Sequence, residues 1–205
     1  MKNYFVTGIG TNIGKTIVSA ILTEALEADY WKPIQAGDLE HSDSLKVESL
    51  ISNSTTKIHS EAYRLNQSMS PHAAAKLDNI TIDLEKIELP KTTNNLIIEG
   101  AGGLMVPLNE KELVIDLIKK LNIEVILVSQ NYIGSINHTI LSYEALKNRK
   151  IIIAGIIFNG QENATTEQFI LNYTKLHLIA RIGQHDCMDK NVILHYKNQL
   201  NFHAE

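Results

Sequence analysis

A chain of 205 residues, 44% hydrophobic and 20% charged, with a formal net charge of −4, has the composition of an ordinary folded protein long enough to bury a sizeable core. That charge gives no electrostatic footprint for nucleic acid or an anionic membrane, so the expected ligand is small. No apolar run reaches membrane-spanning length, the chain opens on Met1-Lys2-Asn3-Tyr4 with no apolar signal core, and Cys187 is the only cysteine. The expected compartment is therefore the cytoplasm, with no internal disulfide.

In chain order, the first strand is expected at Tyr4 to Thr7 and the first helix at Lys15 to Ala28, with Ile17, Val18, Ala20, Ile21 and Leu22 on its apolar side. Between them lies a glycine-rich turn ending in Gly14-Lys15-Thr16. A strand, a glycine turn and a helix N-terminus form an anion site, because the unpaired N–H groups of the first helical turn converge there and the macrodipole adds partial positive charge. Lys15 supplies a full charge for phosphate, and the Thr16 hydroxyl a ligand for Mg²⁺. The usual phosphate loop places four residues between its first glycine and Gly-Lys. Position 9, where that glycine belongs, is Ile9, while Gly8 leaves five residues and Gly10 three.

Further strands are expected at Tyr30 to Ile34, Leu96 to Glu99, Val125 to Ser129, Ile151 to Phe158 and Leu176 to Ile182. Many are continuously apolar, as strands covered on both faces are. Helical patterns cover Ser44 to Ile51, Lys111 to Leu121, Ser135 to Lys147 and Thr165 to Thr174. The polar stretch from Ser52 to Asn95, with Pro71 and Pro90, reads as loops with short helices. Alternating strands and helices predict an α/β fold, a doubly wound, mostly parallel sheet with helices on both faces, in one domain over 1–205.

Ligands of such sheets sit beyond the carboxyl ends of the strands. Three segments qualify: the glycine turn, Trp31-Lys32-Pro33-Ile34-Gln35-Ala36-Gly37, and Glu99-Gly100-Ala101-Gly102-Gly103. Glu99 carries a carboxylate to a strand tip, where it serves either as an oxygen ligand for Mg²⁺ or as an N-cap or turn residue. Lys32, held extended by the following Pro33, is either a site cation or a solvated strand-end lysine. Asp43 lies in His41-Ser42-Asp43-Ser44, a helix start, where a capping role is expected at least as much as a role in a site. His41, His72 and His138 lack paired spacing and are not expected to hold metal.

Taken together, these segments resemble dethiobiotin synthetase, whose family carries a lengthened phosphate loop, here Gly8 to Thr16. The likeness continues through Trp31 to Gly37, Ser42-Asp43, Ser70-Pro71-His72, Glu99 to Gly103 with Val106-Pro107-Leu108, Gly134-Ser135-Ile136-Asn137-His138 and Gly155-Ile156-Ile157-Phe158-Asn159. It implies a P-loop NTPase-like fold and an ATP-dependent cyclo-ligase that joins 7,8-diaminopelargonate and CO₂ into dethiobiotin, giving ADP and phosphate through a carbamate and a carbamic-phosphoric anhydride. By the same resemblance Lys15, Lys32 and Thr11 are catalytic. Asn12, Ile13, Gly14, Lys15, Thr16, Ile17, Asp43, Glu99, Gly100, Ala101, Gly102 and Asn159 bind ATP, and Thr16, Asp43 and Glu99 hold Mg²⁺. Thr11, Lys15, Lys32, Ala36, Ser135 and Asn137 bind the substrate, the last two from the other subunit of a homodimer with shared active sites. The chain departs from the family at Ala36, where Ser or Thr is frequent, and at Ile182-Gly183, where Ile-Pro is usual.

Two other functions use the same kind of loop. A cofactor-amidating ligase ordinarily carries a glutaminase domain with a nucleophilic cysteine, for which a 205-residue chain with only Cys187 leaves little room. A partition-type ATPase switch ordinarily has a second lysine early in the loop, and positions 8 to 13 contain none.

Overall fold

The computed structural model describes residues 1–202. Its strands are β1 (Asn3–Gly8), β2 (Asp29–Trp31), β3 (Ile34–Ala36), β4 (Ile58–His59), β5 (Tyr63–Leu65), β6 (Leu96–Gly103), β7 (Glu124–Gln130), β8 (Ile153–Asn159) and β9 (Leu178–Ile182). The helices are α1 (Lys15–Leu26), α2 (Asp43–Leu50), α3 (Pro71–Leu77), α4 (Val114–Leu121), α5 (Ser135–Asn148), α6 (Ala164–Thr174) and α7 (Lys190–Lys197). Seven strands form one sheet in the order β4-β2-β6-β1-β7-β8-β9, all parallel, while β3 and β5 pair separately.

The apolar runs fold this way because both faces of the sheet are covered. Tyr4 and Val6 of β1 join a core with Val18, Ile21 and Leu22 of α1, Val47 of α2 and Ile193 of α7. Phe5, between them in sequence, joins the opposite core with Ile98 of β6, Ile115 and Ile118 of α4 and Leu146 of α5. Strand residues alternate between faces, so burying both demands the continuous apolar runs that the sequence displays. The strand expected at Tyr30 to Ile34 is corrected to two. Pro33 has no N–H to continue a ladder, so β2 stops at Trp31 and β3 begins at Ile34, paired with β5 rather than with the main sheet. The stretch expected to hold only loops and short helices also contains the short strands β4 and β5, and α7 lies where no helix was expected. Since β1 is central, its carboxyl end opens between β6 and β7, and the phosphate loop sits there.

Candidate active site

Local geometry at the loop follows from Gly14. Its φ of 90° is left-handed, which glycine alone adopts at no steric cost, and it turns the chain directly into α1. A Cβ at this position would lie 2.1 Å from Asn159 Nδ2. That amide belongs to the end of β8 and donates to the Ile13 carbonyl at 3.0 Å, so β8 braces the loop from the side. Lys15, 7% exposed, donates to the Gly10 carbonyl at 2.9 Å.

The three carboxylate or hydroxyl candidates converge. Thr16 Oγ1 lies 2.6 Å from Asp43 Oδ1 and 2.9 Å from Glu99 Oε1. Asp43 is free for this because the neighbouring Ser42 serves as the N-cap of α2, its hydroxyl accepting from Leu45 N. Glu99 is no turn residue: it lies within β6, 1% exposed. Lys32 is no solvated lysine either: it is 5% exposed, donates to Glu99 Oε1 at 3.1 Å and contacts Asp43 Oδ2. The second Glu99 oxygen accepts from the Tyr30 phenol at 2.9 Å.

Burial and charge set the protonation states. Burial pulls Lys15 down to about 8, reinforced by Lys32 and opposed by Glu99 and Asp43. Burial alone would lower Lys32 too, but Glu99 and Asp43 outweigh it and raise the ammonium above its ordinary value. Asp43 is held below the usual carboxylate range because Lys32 and Thr16 outweigh its burial. The Tyr30 phenol, buried and facing Glu99, is pushed well above its ordinary value and remains a donor. Thr16 has one proton for two carboxylate oxygens, so the hydroxyl and the two carboxylates set oxygen donors side by side. That donor set suits a hard cation such as Mg²⁺, and no cluster of three or more His, Cys, Asp or Glu suited to a metal occurs among the described residues.

Lys15, Thr16, Lys32, Asp43 and Glu99 line a cavity of about 770 Å³ together with Thr11, Asn12, Gly14, Ile17, Ala36, Ala101 and Gly102. Two of the expected nucleotide residues do not line it: Ile13 is 3% exposed with its side chain in the core, and a Cβ on Gly100 would strike the Phe5 ring at 2.8 Å. Asn159 stands behind the loop. Ser135 and Asn137 do not line the cavity of their own chain; Ser135 is 1% exposed at the start of α5, with its hydroxyl unpartnered, while Asn137 is exposed. A second depression of about 560 Å³, lined by Ile9 to Ile13, Gln130, Asn131, Tyr132 and His138, separates the phosphate loop from that helix.

Sequence reasoning missed Tyr30 and Gln35. Gln35 Oε1 accepts from Asp43 N at 3.4 Å and its amide donates to the Gly37 carbonyl, steadying the segment that carries Asp43. A tyrosine in an apolar strand reads as core, and only the neighbouring strand reveals what its hydroxyl meets. Lys46, Ser68 and Met69, also unanticipated, line the cavity wall beside Ser70 and Pro71 of the segment that the resemblance had included.

The chain is similar to known proteins in sequence and in fold. The family model described as "AAA domain" matches residues 2–191. The ATP-dependent dethiobiotin synthetase BioD of Christiangramia forsetii is 56% identical, over 95% of this chain and 94% of that protein. The enzyme of the same name from Cytophaga hutchinsonii is 50% identical, over 98% and 97%. Among solved structures, the cell division ATPase MinD of Pyrococcus furiosus superposes with a TM-score of 0.63 at 13% identity, covering 97% of this chain and 98% of that one. The ParA family ATPase of Chlorobium tepidum gives 0.58 at 15%, covering 98% and 99%. Those two share the P-loop ATPase fold, and at such identities the likeness extends no further, so the partition-type alternative gains no support. The near-full-length relatives and the lengthened loop agree: the chain belongs to the ATP-dependent dethiobiotin synthetase family.

Proposed function

We propose that this chain closes the ureido ring of dethiobiotin from 7,8-diaminopelargonate, CO₂ and ATP, and that it does so in the cavity at the carboxyl end of β1. The observation that carries the reading is the convergence of Lys15, Thr16, Lys32, Asp43 and Glu99 on that one cavity. ATP enters with its phosphates against the loop N–H groups and the Lys15 ammonium, where the α1 macrodipole adds to the attraction. The Lys15 ammonium leaves the Gly10 carbonyl for phosphate, an exchange that restores a full counter-charge to a lysine whose proton burial has loosened.

Thr16, Asp43 and Glu99 are the residues that would hold Mg²⁺, and the ion, when bound, neutralises charge on the phosphates. The chemistry asked of the protein is then positional and electrostatic. One substrate amine captures CO₂ as a carbamate, whose oxygen attacks the γ-phosphorus and displaces ADP; the second amine attacks the carbonyl of the mixed anhydride, closes the ring and expels phosphate. Lys32 stabilises the charge that develops on the carbamate and the transferring phosphoryl group, aided by Thr11 at the cavity mouth. Asn12, Gly14, Ile17, Ala101 and Gly102 shape the nucleotide side, with Ile13 and Gly100 contributing backbone, and Asn159 both steadies the loop and is the proposed contact for adenine. Ala36 contributes a methyl-sized wall on the substrate side.

The homodimer belongs to the same proposal. Tyr132 and Ile133 before α5 and Leu141 within it are exposed, Ile133 fully, and an apolar surface at the entrance to a helix whose Ser135 and Asn137 do not serve their own cavity supports pairing across a two-fold axis. The α5 N-terminus then receives the substrate carboxylate of the neighbouring subunit. The chain is proposed to act as a single unit over 1–205. The cytoplasm, where ATP is supplied, is the proposed compartment, and no helix among the described residues is long and apolar enough to cross a membrane. The test is phosphate release from ATP with and without 7,8-diaminopelargonate and bicarbonate. Release that depends on both supports the reading, and release indifferent to them overturns it.

A further inference from the structure

We propose that Tyr30 is a positioning residue, one that fixes the Glu99 carboxylate so that Oε1 is presented to the divalent-cation site. The assignment rests on the reading of Glu99 as a metal ligand given above. The two Glu99 oxygens keep different company. Oε1 meets Thr16 and Lys32, both of which line the cavity, whereas Oε2 meets only the Tyr30 phenol at 2.9 Å among the described residues.

Tyr30 lies outside the cavity wall. It stands on β2, in register with Ile97 of β6, and is fully buried in the core that contains Val18, Val47 and Ile97. The terminal torsion of a glutamate is broad and soft, so a carboxylate held on one side only can turn its oxygens. A donor rooted in the adjacent strand removes that freedom, and it ties the direction of Oε1 to the pairing of β2 with β6 rather than to a loop. Phenylalanine would fill the same core volume, so the hydroxyl has no packing duty of its own. Outer contacts that orient a metal ligand are commonly worth about tenfold to a hundredfold in metal affinity.

The experiment measures Mn²⁺ binding by electron paramagnetic resonance in the presence of ADP, together with the Mg²⁺ concentration that half-saturates phosphate release. Tyr30→Phe should weaken Mn²⁺ binding about tenfold and shift the Mg²⁺ requirement upward in parallel, leaving the KM for ATP at saturating metal within about threefold. p-Aminophenylalanine placed at position 30, which keeps an N–H donor on the ring, should restore wild-type binding. In a Glu99→Gln background the same change to Phe should add less than about twofold, because the two groups act through one contact. If Glu99→Gln itself leaves Mn²⁺ binding unchanged, the reading of Glu99 as a ligand fails. If Glu99→Gln weakens it and Tyr30→Phe does not, the positioning role alone is overturned. A Tyr30→Phe chain that fails to fold by circular dichroism assigns the hydroxyl to core stability and overturns the role as well.

Discussion

Lys32 reaches across 67 residues of sequence to place its ammonium 3.1 Å from Oε1 of Glu99, on the same oxygen that Thr16 contacts at 2.9 Å. A cation in that position neutralises the carboxylates proposed to hold metal, and it stands within the cavity proposed as the place where charge develops during phosphoryl transfer. The two roles predict opposite signs for its removal. Lys32→Ala should lower turnover by a hundredfold to a thousandfold, about 2.7 to 4 kcal/mol, the scale of one preorganised electrostatic donor. The same change should tighten divalent binding, since Asp43 and Glu99 lose their counter-charge. Lys32→Arg should rescue little turnover, a planar fork being a poor substitute for a compact ammonium. Steady-state rates and Mn²⁺ titration separate the effects; near wild-type turnover would reduce Lys32 to a structural counter-ion.

Gly14 and Asn159 make a second coupled pair. An alanine at position 14 must hold a φ of 90°, costing about 1 to 2 kcal/mol for a residue with a Cβ, and must also displace an amide 2.1 Å away that supports the Ile13 carbonyl. Gly14→Ala should therefore weaken ATP binding by at least about tenfold. Asn159→Ala alone should weaken it too, by releasing the loop. Combined, the two should lose less than the sum of the single changes, because removing Asn159 removes the clash. Nucleotide titration calorimetry on the three variants checks this, and strictly additive losses would sink it.

How much of this was legible beforehand varies with the range of the interaction. Lys15 and Thr16 follow from a local pattern, since strand, glycine turn and helix N-terminus are consecutive. Glu99 could be placed at a strand tip, and Lys32 beside a proline, but the sequence left each with a plain structural alternative. What decides between the alternatives is the adjacency of β2 and β6 and the cap that Ser42 supplies, which relieves Asp43 of that duty. The split at Lys32-Pro33 was misread because an apolar run says nothing about which sheet it joins; the missing proline N–H makes the chain change partners. Helix α7 escaped notice because KNVILHYK is short and mixed in character, and its place is set by Ile193 and Tyr196 packing with the α1 core. The oxygen of Tyr30 is invisible to any periodicity.

Acid stability offers a prediction remote from the site. Glu24, 2% exposed near the end of α1, accepts from Ser52 N at 2.7 Å, Ser52 Oγ at 2.9 Å, and Asn53 N and Nδ2 at 3.1 Å, with Lys197 Nζ 3.6 Å away. Burial would raise its pKa, but these bonds outweigh burial and hold it at about 2, below the ordinary value of 4.5. With the folded value depressed, the stabilisation is complete above pH 4.5 and is lost as pH falls toward 2, when the unfolded chain takes up a proton that the folded one refuses. The linkage amounts to roughly 3 kcal/mol. Glu24→Gln should be less stable than wild type at pH 7, with the gap closing through that window. Urea denaturation at both ends measures it, and a gap independent of pH would show that Glu24 is not the group responsible.

The proposed pairing of subunits makes the strongest demand on the architecture, because Ser135 and Asn137 lie away from the cavity lined by Lys15 and Lys32 in their own chain. If the α5 N-terminus serves the neighbour, a defect there and a defect in the phosphate loop fall in different sites when two differently altered chains pair. Lys15→Ala removes the cation proposed to meet phosphate. Asn137→Glu, at an exposed position, places a negative charge where the substrate carboxylate is to be received and spares the core. Each variant alone should be nearly inactive. Mixed, unfolded and refolded together in equal amounts, they should form hybrids in which one site collects both defects and the other neither. With random pairing, half the dimers are hybrids and half their sites are intact, so activity should return to about a quarter of the wild-type level. Subunit exchange is verified by native mass spectrometry. Exchange without recovered activity would mean that each chain builds its site alone, and the exposed Tyr132 and Ile133 would then need another partner.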